Sequence, residues 1–336
     1  MIMKLSNIFL STLVVLLCCT ACSKDDESFK GKDADASLSI AVKVAGSAVT
    51  KGFHPNDENE LAGEAKVNNL SVLVFDESGA QLIGYGWQAT NSEGEASILN
   101  VPAMTMRAQI VIVSNTPENS LAGVTSYSDF ESKLAQLADQ SQSNLVMSSP
   151  VITTQAPLVK GDNYLGYASM GSENINGIAE PVEITRLAAR LDLVNVKTDF
   201  TKTLLRNRTV RVEEVTILNQ STASRFFSRD YWGVVMAAGH LGNSGATALN
   251  RDIGSPINDT PYVHYVMEND GSEAPTEIQV RATLLETDTY EAETKIFTAV
   301  INRNGLDRGY NHNYVKRNYV YRLNVTFGDT SFDGDH

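Results

Sequence analysis

Apolar and polar positions alternate with period two along much of the chain, a pattern that predicts short strands joined by turns. Leu38, Ile40, Val42 and Val44 alternate with Ser39, Ala41 and Lys43, so a strand with one apolar face is expected over 37–45. A β-branched, apolar run over 67–76 is joined through the turn Glu77-Ser78-Gly79-Ala80 to 81–87, which reads as a hairpin. Further strands are expected at 96–101, 107–114, 145–147, 151–154 and 182–185, completing a first half. The second half has strand patterns at 189–196, 209–218, 262–267, 277–285, 295–301 and 319–327, with an irregular excursion rich in Gly, Asn, Ala and Pro over 233–261. One helix is expected, over 128–140: Ser128-Asp129-Phe130-Glu131 has the form of a capping box, and Phe130, Leu134 and Leu137 share a helical face. Strands separated by turns, with one inserted helix, predict an all-β fold of antiparallel sandwiches, and the lack of a short-period repeat argues against a solenoid.

Between these elements lie two polar stretches. Residues 23–36 (SKDDESFKGKDADA) lack large apolar groups apart from one Phe and read as a solvated tether. Residues 52–66 read as a long polar loop; its acidic run Asn56-Asp57-Glu58-Asn59-Glu60 lacks the spacing of a known calcium loop and is expected to be a solvated turn. The division that follows is a 22–36 tether, a sandwich over 37–185 and a second over 186–336.

The amino terminus sets the compartment. After Lys4 comes an apolar run from Ile8 to Cys19, interrupted by Ser11 and Thr12, too short to span a bilayer but suited to the core of a secretion signal. Thr20-Ala21-Cys22 resembles a bacterial lipobox, with cleavage after residue 21 and Cys22 as the lipid-bearing first residue, although Cys19 stands where leucine is usual. The other reading is an ordinary signal peptide cut near Ala21, leaving a free thiol. Ser23-Lys24-Asp25-Asp26-Glu27 resembles the surface-export signal of Bacteroidetes lipoproteins, which implies outer-membrane lipid as a partner through Cys22 and display at the cell surface. Multiple acyl chains hold a protein on a membrane far more firmly than one.

Composition narrows the partners. Removing residues 1–21 takes away only Lys4 and carries the formal charge from -13 to -14, which argues against nucleic acid and anionic membranes as partners. Cys18, Cys19 and Cys22 are the only cysteines, so the mature chain keeps one and has neither an internal disulfide nor a cysteine metal site. His54, His240, His264, His312 and His336 fall in no metal-ligand spacing, and His264, within a strand pattern, reads as half-buried packing. There is no Gly-x-Ser-x-Gly elbow, phosphate-binding glycine loop or cysteine nucleophile, so no catalytic residue, metal or cofactor is assigned. A lectin-like surface protein is the competing reading, with Trp87, Tyr231 and Trp232 stacking on sugar rings.

Several segments then carry a family resemblance. Leu70-Ser71-Val72-Leu73-Val74-Phe75-Asp76, Val113-Ser114-Asn115, Leu145-Val146-Met147-Ser148 and Arg186-Leu187-Ala188-Ala189-Arg190-Leu191 are followed by Tyr265-Val266-Met267-Glu268-Asn269 and Lys316-Arg317-Asn318-Tyr319-Val320-Tyr321-Arg322. In this order, over about 37–328, the chain resembles the fimbrillins, the major and accessory fimbrial subunits of Bacteroidetes. The resemblance implies a lipoprotein precursor of two transthyretin-like β-sandwich domains that joins other fimbrial subunits by strand exchange, after a maturing protease releases the first strand. On that reading Leu38, Ile40, Val42 and Val44 form a placeholder strand, and Tyr319, Tyr321, Leu323, Val325 and Phe327 form either a donated strand or the last strand of their own domain. The family's usual cut follows an arginine near Val-Thr-Arg. Here the sequence is Val49-Thr50-Lys51 and the first arginine is Arg107, so release requires a lysine-tolerant protease cutting between Lys51 and Gly52, or the strand is retained.

Overall fold

In the computed structural model the described residues are 33–46, 48–49, 52–55, 60–226, 241–242, 247–253, 262–271, 274–305 and 312–333. Cys22, Lys51, Tyr231, Trp232, His54, His240 and His336 fall outside them or have side chains that are not described. The first sandwich comprises β1 (Ala36–Val44), β4 (Lys66–Asp76), β5 (Leu82–Glu93), β6 (Glu95–Ala103), β7 (Ala108–Ser114), β9 (Met147–Ser148), β10 (Ile152–Thr153), β11 (Gly161–Leu165) and β12 (Val182–Arg186). Between β1 and β4 run β2 (Ala48–Val49) and β3 (Gly52–Pro55), so part of the expected polar loop is a small hairpin.

These strands form one nine-stranded sheet, ordered β11-β1-β12-β9-β7-β4-β5, with β6 also on β1 and β10 also on β7. Because β12 pairs with β1 on one layer and β9 on the other, the sheet folds over on itself and encloses a single core. Residues Leu70 to Phe75 of β4 are all buried, one face against that core. The other face is covered by the 116–146 crossover, where Phe75 meets Tyr127 and Phe130 at 5.7 and 6.3 Å.

The second sandwich pairs two sheets. One has the order β19 (Tyr262–Met267), β13 (Ala188–Asp199), β22 (Tyr319–Gly328), β2, β3; the other has β18 (Thr247–Ile253), β14 (Val210–Leu218), β20 (Glu277–Leu284), β21 (Glu293–Val300). Their facing side chains, among them Leu191, Leu193, Val212, Val215, Val280 and Phe327, form a separate core. β18 lies inside the stretch expected to be irregular and pairs antiparallel with β14.

Two expectations are corrected. The sheets are mixed, not purely antiparallel: β1 runs parallel to β11 and β12, and β13 runs parallel to β22. The helix is short, α1 spanning Tyr127–Ser132, and its N-cap is Ser126, whose Oγ accepts from Asp129 N at 3.2 Å, not Ser128. Lys133 is extended, and Leu134–Gln136 becomes β8, which pairs antiparallel with β16 (Ala223–Arg225) of the second half. That cross-domain pairing, extended by Leu137 N donating to Thr222 O, satisfies the backbone groups that further helix would have satisfied internally. Two-residue strands β15 (Gln220–Ser221) and β17 (Leu241–Gly242) pair beside it. The two halves also share apolar contacts, with Phe226 stacked on Phe130 at 5.8 Å.

Candidate functional site

β1 is an internal strand. Along one edge it pairs antiparallel with β6, from Ala36 opposite Ala103 to Lys43 opposite Glu95. Along the other it pairs in parallel with β11 through Ile40, then with β12 from Val42 to Val44. Leu38, Ile40 and Val42 are fully buried, while Val44 is half-buried at the edge of the core. Three of the four expected apolar side chains therefore fill the groove completely, worth ~1.5–3 kcal/mol each before ordering costs.

The handover from β11 to β12 along β1 depends on Gly166. Its φ is +87°, and a Cβ there would come within 2.7 Å of the Ala41 carbonyl oxygen of β1. Only glycine permits that turn at that distance from the strand.

Both ends of β1 are tied. At its start, Thr105 N donates to Asp35 Oδ1 at 2.8 Å, and the hydrogen bonds from Thr105 hold the Asp35 carboxyl below the usual range. Ser37 Oγ donates to Asp162 Oδ1 at 2.6 Å. At its end, Val44 N donates to Gly94 O at 2.7 Å and Ala45 N to Ile184 O at 2.9 Å. The chain then leaves through the joint between the sandwiches.

That joint is built from charge. Arg186, on β12, is 2% exposed and donates to Glu60 Oε1 at 2.6 Å, Glu64 O at 2.9 Å and Ala45 O at 2.9 Å. Arg190, on β13, holds both Asp192 oxygens at 2.8 and 3.0 Å and Glu64 Oε2 at 2.5 Å. Glu64 is 2% exposed and also accepts from Tyr265 Oη at 2.7 Å and Leu61 N at 2.8 Å. Burial opposes the Arg190 charge, but the two carboxylates outweigh it and raise the guanidinium pKa. Glu60 is thus a buried-joint ligand for Arg186 and not part of a solvated turn. None of these residues was singled out as functional in the sequence, where Arg186 and Arg190 stood out only as part of a motif and Glu64 lay in a stretch without periodicity.

The last strand, β22, lies in the second sandwich. It is parallel to β13 from Arg190 opposite Val320 to Asp199 opposite Gly328, and β2 covers only Tyr319 and Val320 on its other edge. Tyr321 and Phe327 are buried, and Tyr319, Leu323 and Val325 pack half-buried against the same core, so the expected apolar face is present. Phe332 of the tail inserts beside Phe327 and Phe297, at 5.8 and 5.6 Å. In this structure β22 is a strand of its own domain.

The residues tied to other chemistry are placed elsewhere. Trp87 is half-buried on β5. His264 stacks on Tyr262 with its Nε2 3.1 Å from Gln220 Oε1, and burial lowers its pKa. Among the described residues no group of three or more His, Cys, Asp or Glu is placed to hold a metal ion.

Comparison with known proteins adds a consistent set of likenesses. Residues 36–186 match the family model of the major fimbrial subunit protein FimA, and residues 187–336 match that of the C-terminal domain of Fim1C-like fimbrium tip subunits. The chain is 47% identical over 334 residues to "Putative fimbrium tip subunit Fim1C" of Parabacteroides distasonis, covering 98% of this chain and 88% of that protein. It is 26% identical to the major fimbrium subunit FimA type-2 of Porphyromonas gingivalis, covering 89% and 78%. A crystal structure of a "putative cell adhesion protein" from Parabacteroides distasonis ATCC 8503 superposes with a TM-score of 0.82 at 47% identity, covering 89% of this chain and 90% of that one.

Proposed function

The chain belongs to the fimbrillin family of Bacteroidetes fimbrial subunits, and from that premise we propose that it is a structural subunit of a cell-surface fimbria whose first strand holds the place of a strand donated by a neighbouring subunit. One observation carries the reading: β1 is paired on both edges and buries Leu38, Ile40 and Val42, yet it sits near the amino-terminal end of the chain, where a single cut would detach it. Its departure leaves two unpaired edges, β6 on one side and β11 with β12 on the other, around an apolar groove. Such a groove recruits an extended chain through main-chain hydrogen bonds and alternate side-chain pockets.

The precursor is anchored through lipid on Cys22, and the cut falls between Lys51 and Gly52. The match of the second sandwich to tip-subunit domains supports a place at the fimbrial tip. A subunit with that position needs the acceptor groove but need not give up β22, whose withdrawal would uncover Tyr321, Phe327 and the β13 edge.

The test is to compare the full precursor with a chain lacking residues 22–51. The precursor is expected to remain monomeric, and the shortened chain to associate with itself or with a co-expressed fimbrial subunit. A folded shortened chain that stays monomeric in both settings, by light scattering, contradicts the proposal. Anchoring is checked separately: Cys22→Ser is expected to abolish fatty-acid labelling, and persistent labelling refutes the lipid assignment.

A further inference from the structure

The segment following the first strand touches both sandwiches. β1 belongs to the first, whereas β2 pairs in parallel with the start of β22, Ala48 opposite Tyr319 and Val49 opposite Val320. Between them, two consecutive carbonyls are gripped from opposite sides of the joint. Ala45 O accepts from Arg186 Nη1 at 2.9 Å, and Gly46 O accepts from Asn318 Nδ2 at 2.7 Å. Arg186 ends β12; Asn318 immediately precedes β22; and Arg186 Nη1 also donates to Asn318 Oδ1 at 3.0 Å. Asn318 N donates to Ala188 O, the first residue of β13, at 2.9 Å.

We propose that residues 45–46 and 48–49 clamp the two sandwiches together, so that removing the first strand releases the start of β22 and loosens the joint as it opens the groove. This rests on the reading that the strand leaves during maturation. A cut after Lys51 takes away Ala45 O, Gly46 O and β2 together. Arg186 retains Glu60, the Glu64 carbonyl and Asn318 on the remaining chain, but Asn318 Nδ2 loses its Gly46 acceptor, and Tyr319 and Val320 lose their β2 partner. One cleavage therefore acts on both sandwiches, and Asn318 is the positioning residue that links them.

Two substitutions isolate the contact. Asn318 has φ +60°, which Asp tolerates and Gly adopts freely, so neither variant forces a new backbone. Asn318→Asp keeps an acceptor for Arg186 and replaces the bond to Gly46 by a carboxylate oxygen facing the Gly46 carbonyl, whereas Asn318→Gly loses both bonds without that repulsion. Amide hydrogen exchange on the full precursor is the readout, with residues 70–75 of β4 as the internal reference for intact folding. Both variants are expected to exchange ~3–10-fold faster at 319–322 and at 44–46, the change that losing one net hydrogen bond of typical strength produces, with 70–75 unchanged.

If exchange at either segment in Asn318→Asp equals the wild type, the Gly46 contact holds nothing and the clamp is refuted. If 70–75 accelerates equally, the effect is global destabilisation and the clamp is likewise refuted. The experiment does not depend on cleavage. A protein that keeps its first strand in fibres but shows the expected exchange pattern contradicts the maturation reading and leaves the clamp standing; the opposite pair of results does the reverse.

Discussion

Ile40 is the side chain on which the role of the first strand depends most. It is fully buried, sits opposite Ile98 of β6 and opposite Leu165 of β11, and belongs to the same core as both. Truncating it to alanine removes a buried branched side chain and leaves a cavity, which costs ~2–5 kcal/mol at a well-packed site. Ile296→Ala on β21 is the control, because Ile296 is 60% exposed and surface substitutions usually stay within ~0.5 kcal/mol. Urea unfolding of the full precursor, followed by fluorescence and circular dichroism, gives both values by linear extrapolation, provided the slope is unchanged. In a Trp232→Phe background, which removes the second tryptophan of the chain, fluorescence reports on the first sandwich through Trp87 on β5. The expected result is a midpoint shift for Ile40→Ala several times that of Ile296→Ala, seen first in the transition that Trp87 reports. Equal shifts would show that the strand contributes nothing to the groove, and the placeholder argument would fail.

Glu64→Ala takes a buried carboxylate away from Arg190 and from Tyr265 Oη while leaving the Glu64 carbonyl that Arg186 holds, and is expected to cost ~3–5 kcal/mol, measured by the same unfolding assay; a neutral result refutes the joint as a structural element. Burial pushes the Lys316 pKa down from 10.5 to about 8, so folding disfavours its protonated form. The unfolded chain binds that proton more tightly, and stability should rise with pH above about 8, before tyrosine ionisation intervenes near 10. Lys316→Met is expected to flatten that rise in thermal melts between pH 8 and 10, and an unchanged slope contradicts the assignment. Phe332→Ala should cost ~3–5 kcal/mol in the unfolding of the second sandwich, since its ring is buried beside Phe297 and Phe327; no change would mean that the tail does not seal that core.

Local pattern made much of the sandwich legible. Strand patterns located β1, β14 and β22 to within a residue at each end, and the β-branched, apolar run over 67–76 located β4, whose cover on both faces only the fold shows. Strand direction was not legible, because parallel pairing of β1 with β11 and β12 is set by contacts more than a hundred residues apart. β11 itself, Gly161-Asp162-Asn163-Tyr164-Leu165, lacks a strand pattern; its Asn163 side chain instead ties Ser37 O and Val159 O. The helix expected over 128–140 ended early because 134–136 found a partner strand in the other half. The joint was hidden for a related reason: Arg186 and Asn318 acquire meaning only when distant segments bring them onto Ala45 O and Gly46 O, and Arg190 only when it meets Glu64.

A placeholder role for β1 requires that the first strand be absent from the assembled fimbria. Fibres sheared from cells expressing the protein, dissociated and examined by amino-terminal sequencing and intact mass, answer that directly. The chain is expected to begin at Gly52, with Leu38, Ile40 and Val42 gone and the mass lacking any acyl group. A chain in the fibre that begins at Cys22 with its lipid attached would contradict the account, because the groove would then still be filled by the subunit's own strand.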